Sequence, residues 1–268
     1  MRAMTTDQPN YALLDDAGLG GAMFYPRPDD RPPPPGASDH QIEITPAVSL
    51  GARFYPTDPA GPSLLYFHGN GEVASDHDGI APLYHDIGAN LFVAEFRGYG
   101  QSTGDPTVAA LVGDAHPAVA YFHQLLDDQG FSAERYVMGR SLGAHPALEV
   151  AANAAERFRG LILESGAGNI RRSVERAGLL ETELGGRLAA AHDAKVRGIR
   201  LPVLLIHGAV DTLVPLNTAE TTRDLLTSTA ARLEVIPGAG HNDLLWIGRD
   251  QYFRAIADFV STPRTGTA

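Results

Sequence analysis

Gly139, Arg140, Ser141, Leu142 and Gly143 read G-x-S-x-G between a short apolar run and a helix-favouring one. A serine hydroxyl is a weak nucleophile until a base sits beside it, and a sharp strand-to-helix turn pushes it clear of its own backbone towards that base. Glycines two before and two after leave room for such a turn. Ordinary turns also place a serine between glycines, so the flanking elements decide what the motif means. Arg135, Tyr136, Val137 and Met138 include β-branched and aromatic residues, and Ala144 to Ala155 is rich in Ala, Leu and Glu. The expected order is strand, turn, helix. A helix beginning at Ser141 also leaves its first N–H groups without internal acceptors, free to face an anion.

A nucleophilic serine needs a general base, and the base needs a partner that fixes its tautomer. Ten histidines compete. His241 lies in Pro237-Gly238-Ala239-Gly240-His241-Asn242-Asp243, a glycine-rich loop between a strand-like and a helix-like run. Loops at the carboxyl edge of an open sheet are where side chains reach a crevice. His68 and His207 follow apolar strands as well, and packing within their loops is the expectation for both. His145 falls one helical turn beyond Ser141 and should sit behind the turn. Asp211, after the run Val203 to Ile206, is the expected orienting carboxylate, with Glu164 at the end of the preceding strand as the rival acid. Turn shaping is the alternative duty for Asp211. Backbone donors for a developing oxyanion are expected at Leu142 N–H and at Asn70 N–H in His68-Gly69-Asn70-Gly71-Glu72, with Gly71 the neighbouring alternative.

These loops need a frame. Gln41 to Thr45 and Val48 to Tyr55 read as an antiparallel pair of strands. Ser63 to Phe67, Leu91 to Phe96, Tyr136 to Met138, Leu161 to Leu163 and Val203 to Ile206 read as buried parallel strands, with Leu233 to Ile236 as the last. Helical windows fall between them at Ile80 to Ile87, Val108 to Leu126, Leu142 to Ala155, Asn217 to Leu226 and Leu244 to Val260. Alternation of this kind predicts an α/β fold, a predominantly parallel sheet with helices on both faces. Residues 1–38 form an N-terminal arm and a Pro-rich linker, residues 39–262 the main domain, and residues 263–268 a tail. The arm carries Leu13, Leu14, Leu19, Met23, Phe24 and Tyr25, so it is expected to pack on the domain.

The motifs His68-Gly69-Asn70, Phe96-Arg97-Gly98-Tyr99-Gly100-Gln101-Ser102, Gly139 to Gly143, His207-Gly208 to Asp211 and Gly240 to Asp243 resemble, in this order, the α/β-hydrolase superfamily of serine hydrolase type. The resemblance runs from about Gln41 to Val260, and the order Ser141, Asp211, His241 matches that fold's triad order. It is similar to a subgroup of small esterase- or lipase-like enzymes without a large inserted domain. The resemblance implies hydrolysis of an ester, thioester or lipid acyl bond, no cofactor, and structural support of the oxyanion loop by the Arg97 to Gly100 turn. It also implies a small helical cap at about residues 167–200, where Ile170, Val174, Ala177 and Leu180 keep helical spacing with an apolar side expected to face the pocket. Arg171 and Arg172 in that segment are candidate substrate-binding residues for an anionic group, against the alternative of a solvated face with ordinary ion pairs.

Composition narrows the partners. A net charge of −11 argues against nucleic acid, which requires a clustered basic footprint. There is no cysteine, so disulfides, a thiol nucleophile and thiolate metal ligands are excluded. Lys195 is the one lysine among 21 cationic side chains, which leaves Schiff-base chemistry a single possible carrier. The cluster Asp76-His77-Asp78 lacks a histidine partner at helical metal-ligand spacing. No apolar run approaches membrane-spanning length and the first ten residues carry no signal-peptide core, so the expectation is a soluble, cytoplasmic protein acting on a small acyl ester. The same three residues also serve acyl transfer or cofactor-free peroxidation in principle, or persist as scaffold in a non-catalytic binding protein.

Overall fold

The computed structural model describes residues 8–166, 168–227 and 229–261. Eight strands form one sheet: β1 (Ser38–Thr45), β2 (Val48–Tyr55), β3 (Ser63–Phe67), β4 (Asn90–Ala94), β5 (Arg135–Arg140), β6 (Gly160–Glu164), β7 (Val203–Gly208) and β8 (Ala231–Ile236). Their order across the sheet is β1-β2-β4-β3-β5-β6-β7-β8. β1 pairs antiparallel with β2 and β2 antiparallel with β4, while every other neighbour runs parallel. The register sets Phe67 opposite Gly139, Gly139 opposite Leu163, and Leu163 opposite Leu205. The loops that leave β3, β5, β6, β7 and β8 therefore open along one edge.

Because side chains alternate across a strand, each apolar run feeds two cores. Leu65, Phe67, Val137, Leu163 and Leu205 point into one; Leu64, Tyr66, Met138, Ile162 and Leu204 point into the other. The first face is covered by α1 (Ala12–Asp16), α4 (Val108–Gly113), α5 (Ala115–Asp128), α6 (Ala144–Asn153), α7 (Ile170–Arg176), α8 (Glu183–Arg197) and α9 (Leu216–Leu225), with the short α2 (Gly20–Met23) beside α1. The second is covered by α3 (Ala81–His85), α10 (Leu244–Ile247) and α11 (Arg249–Ser261). Strands buried on both faces explain why these runs are continuous rather than alternating in polarity. Among the described residues no helix is long and apolar enough to cross a membrane.

Two expected helices are each split, one by a local cause and one by a contact across the fold. The window from Val108 divides at Asp114 into α4 and α5, because Pro117 has no N–H to donate to Gly113 and its ring crowds that carbonyl. The window from Leu244 divides at Gly248, where a side chain would collide with Ile236. α7 is shorter than the apolar spacing implied, ending before Gly178, whose φ is 69°.

The N-terminal arm does pack on the domain. Tyr11, Leu14 and Phe24 join the first core, and the Asp15 carboxylate accepts hydrogen bonds from Val108 N–H at 2.7 Å and Ala109 N–H at 3.0 Å, satisfying free donors at the start of α4. Beneath it lies a buried polar network. Lys195 Nζ donates to Glu149 Oε2 at 2.9 Å and to the Tyr11 hydroxyl at 2.5 Å, and that hydroxyl lies 3.0 Å from His192 Nδ1. Burial alone would raise Glu149, yet His116, Lys195 and Asn153 hold it down to about 2. The arm, α6 and α8 are thus tied at one point.

Candidate active site

β5 ends in a bend that the backbone resists. Ser141 has φ 50°, a left-handed conformation that costs a non-glycine residue on the order of 1–3 kcal/mol. It is held there because the chain turns at once into a single 3-10 turn, Ser141–Gly143, and then into α6. Crowding around the bend accounts for the glycines: a side chain at Gly139 would strike the Gly143 carbonyl, and one at Gly143 would strike the Phe67 carbonyl. Leu142 is the second residue of this turn, so its N–H has no acceptor within the turn.

The structure brings Ser141, His241 and Asp211 together. Ser141 Oγ lies 3.0 Å from His241 Nε2, and His241 Nδ1 lies 2.8 Å from Asp211 Oδ2. An ionised carboxylate only accepts, so the Nδ1 proton faces Asp211 and Nε2 is left to accept from the Ser141 hydroxyl. The carboxylate is itself fixed, since Asp211 Oδ1 accepts from Leu213 N–H at 2.9 Å and Val214 N–H at 2.8 Å. Burial pushes the His241 imidazole below its usual pKa of 6.5, against the opposing pull of Asp211. A neutral, accepting imidazole beside a hydroxyl follows.

None of the competing residues takes the place of His241 beside the Ser141 hydroxyl. Glu164 receives Arg140 Nε at 3.2 Å and the Tyr252 hydroxyl at 2.7 Å, and burial raises its pKa. His207 Nε2 donates to Val214 O at 2.8 Å and lies 3.4 Å from Asp211 Oδ2, behind the carboxylate rather than beside the serine. His68 Nδ1 lies 2.8 Å from Gly69 O under the Phe96 ring, and burial lowers it to about 4. His145 departs from expectation: although buried one turn beyond Ser141, it borders the cleft instead of sitting wholly behind the turn. Asp76 pairs with Arg27 and Arg31, and Asp78 with Arg53, so that acidic cluster is spent on ion pairs. Among the described residues no group of three or more His, Cys, Asp or Glu side chains is arranged to hold a metal ion.

Asn70 has a second duty that the sequence did not disclose. Its Oδ1 accepts from the Tyr99 hydroxyl at 2.6 Å and from Tyr25 N–H at 3.0 Å, and its Nδ2 donates to Met23 O at 2.6 Å. The side chain therefore joins the loop after β3 to both the Phe96–Gly100 turn and the N-terminal arm. Ala22, Met23 and Tyr25 form one wall of a cleft of about 270 Å³ that also contains Asn70, Ser141 and Leu142.

Arg140, between Gly139 and Ser141, ties the other loops. Its buried guanidinium forms an ion pair with Glu72 through Nη1, reaches Glu164 through Nε, and donates from Nη2 to His241 O at 3.2 Å and Asn242 Oδ1 at 2.9 Å. Glu72 in turn accepts from Gly69 N–H at 2.7 Å. Burial alone would raise Glu72, but Arg140 holds it below the usual carboxylate range. One side chain thereby fixes the loops after β3, β6 and β8 around the serine. It also floors a second cavity of about 390 Å³, walled by Tyr66, Tyr84 and Tyr252, on which His241 borders.

The cap segment differs from expectation in its facing. Ile170 and Val174 are buried in the first core, and the side of α7 that lines the cleft carries Arg172, Ser173 and Arg176. The reason is that the core beside β6 takes the apolar stripe, leaving the polar one for the opening. Of the two predicted arginines, Arg172 lines the cleft and donates to Leu213 O at 2.6 Å, whereas Arg171 pairs with Asp193 at 2.7 Å and does not line it. Arg176, four residues beyond Arg172 and so on the same helix side, was not singled out by the sequence.

Comparison with known proteins agrees with this architecture. Residues 59–191 match the family model described as serine aminopeptidase, S33, a stretch that includes Ser141 but stops short of Asp211 and His241. Protein bem46 of Schizosaccharomyces pombe is 30% identical over 206 residues, 75% of this chain and 67% of that protein. The alpha/beta hydrolase domain-containing protein 17C of Xenopus laevis is 27% identical over 223 residues, 79% of this chain and 66% of that one. An esterase of Pyrococcus furiosus superposes with a TM-score of 0.67 at 18% identity, over 89% of this chain and 96% of the esterase. Sheet order, motif order and these relatives agree: the chain belongs to the α/β-hydrolase superfamily.

Proposed function

We propose that the protein is a serine hydrolase that cleaves carboxylic ester bonds, thioesters included, through an acyl-enzyme at Ser141. The observation that carries this is the continuous chain from Asp211 Oδ2 to His241 to Ser141 Oγ, with contacts of 2.8 and 3.0 Å. His241 Nε2 takes the hydroxyl proton as Oγ bonds to the acyl carbon, and the negative charge collects on the carbonyl oxygen. Leu142 N–H and Asn70 N–H are the donors we assign to that oxygen. Collapse breaks the bond to the alcohol, which leaves with the proton from His241. Water then attacks the acyl-enzyme, gives a proton to the same imidazole, and the acid departs as Ser141 recovers its hydrogen. No cofactor enters these steps, and the reading is supported by a structural neighbour of the same fold that is described as an esterase.

The test is Ser141→Ala, with hydrolysis of p-nitrophenyl butyrate and labelling by a fluorophosphonate as readouts. Both are expected to vanish against background. Labelling of the variant at the wild-type rate removes Ser141 from the role.

A further inference from the structure

The cleft that holds Ser141 is unusual in charge for this protein. The chain carries 32 acidic against 21 basic side chains, yet none of the residues lining the cleft is Asp or Glu. Its two charged residues are both arginines, Arg172 and Arg176, one helical turn apart on α7. Nearby acids are placed outside it: Asp193 is taken by Arg171, and Glu175 does not line the opening. Arg172 is half-buried and spends one nitrogen on Leu213 O, in the loop that also carries Asp211, which orients the side chain while leaving the rest of its fork uncommitted. Arg176 has no hydrogen bond or ion pair among the described residues.

A guanidinium left without a carboxylate in an acidic protein is a standing attraction for an anion. A forked donor matches the two or three oxygens of a carboxylate or phosphate, and walls of low dielectric strengthen the field inside a cleft. The remainder of the lining is apolar or uncharged, with Met23, Leu142, Leu213 and Val214 offering surface to a short hydrocarbon stretch. We propose that this cleft takes acyl esters that carry an anionic group, a carboxylate or a phosphate, bound by Arg172 and Arg176 while the acyl carbon rests at Ser141. This deepens the ester-hydrolase reading and rests on it.

The experiment compares matched substrates that differ only in charge. For a carboxylate source the pair is mono-p-nitrophenyl glutarate and p-nitrophenyl butyrate. For a phosphate source it is acetylated glycerol 3-phosphate and monoacetylglycerol, followed by acetate release. The ratio of kcat/KM, anionic over neutral, is expected to be about tenfold or more in at least one pair, the scale of one hydrogen bond to a charged group. The double variant Arg172→Gln with Arg176→Gln should bring that ratio close to unity, Arg171→Gln should leave it intact, and 0.5 M salt should reduce it in the wild type. Which pair shows the preference identifies carboxylate or phosphate. Ratios near unity in both pairs overturn the inference, as does an anionic preference that survives the double variant. If neutral esters are still cleaved in a Ser141-dependent manner when the ratios are flat, the hydrolase reading stands and only the anion site falls. If Ser141→Ala retains hydrolysis, the hydrolase reading falls. The site is then judged by calorimetric titration of glutarate and glycerol 3-phosphate into wild type and double variant, where heat lost with the arginines supports it and equal heats overturn it.

Discussion

Replacing Arg140 by Met tests whether one buried guanidinium holds the loops around Ser141 together. The wild-type side chain serves Glu72, Glu164, the His241 carbonyl and Asn242. Removing one partner from a buried ion pair leaves its carboxylates without compensation, a loss of about 3–5 kcal/mol. Part of that is recovered when a carboxylate takes up a proton, and Glu164 already has a raised pKa from burial. Glu72 changes sign. In the wild type it lies below 4.5, so the stability it contributes is present above that pH and is lost on acidification. Without Arg140 the burial that raises Glu72 is no longer outweighed by the guanidinium, so its pKa moves up and the variant should lose further stability as pH rises above 4.5. With a urea slope of about 3 kcal/mol/M, a 3 kcal/mol loss moves the unfolding midpoint by about 1 M at neutral pH. Far-ultraviolet circular dichroism is the suitable probe, because the single tryptophan, Trp246, is 77% exposed in the native fold and reports little on burial. In parallel, the unclamped His241 loop should lower kcat/KM by about 10²-fold, the cost of misplacing a reacting group by an ångström or so, and slow fluorophosphonate labelling to match. Arg140→Lys keeps the charge but not the fork, and should fall between the two. A midpoint and a labelling rate that both equal wild type in Arg140→Met would refute the reasoning.

The remaining predictions concern the base and the arm. Since burial lowers His241 and the proposed mechanism requires the neutral imidazole, the acid limb of the kcat/KM profile should have its midpoint below pH 6.5, and a midpoint above that value contradicts the assignment. Asp211→Asn removes the group that raises His241 and fixes its tautomer, so the rate should fall by about 10⁴-fold, measured with p-nitrophenyl butyrate at saturating substrate. Glu149→Gln should cost about 3 kcal/mol at pH 7, because Glu149 is held down to about 2 in the fold; the gap to wild type should close as pH falls from 4.5 towards 2, as followed by urea unfolding across that range.

The parts of the site that were legible in the sequence share one property: each is announced by its own neighbours. Ser141 has glycines on both sides, and Asp211 and His241 each follow a buried strand, so strand order alone carries them to the same edge. Parallel strands were legible for the same reason, their runs being continuous where both faces are covered. Helix breaks were less so, since Gly248 depends on the position of Ile236, which local spacing does not report. Arg140 was visible inside the motif, but its partners come from residues 72, 164, 241 and 242, and no local pattern links them. Arg176 was obscured by a cap segment rich in arginine, in which only the facing of α7 separates Arg172 and Arg176 from Arg171. The bonds of the Asn70 side chain needed the arm, whose partners lie from about 45 to about 180 residues away along the chain.

That docking has a temporal consequence. During vectorial synthesis residues 11–25 are made long before Lys195 and His192, so the hydroxyl of Tyr11 waits for its partners until most of the sheet has emerged. Contacts of such long sequence separation are entropically late in folding. Met23 and Tyr25, by contrast, meet Asn70 and Tyr99 across 45 to 74 residues, so that end of the arm has its partners well before Tyr11 does. Leu213, Val214 and Thr218 on the opposite side of the cleft emerge well after Ser141, so a nascent chain that already displays its serine turn does not yet possess a shaped site around it.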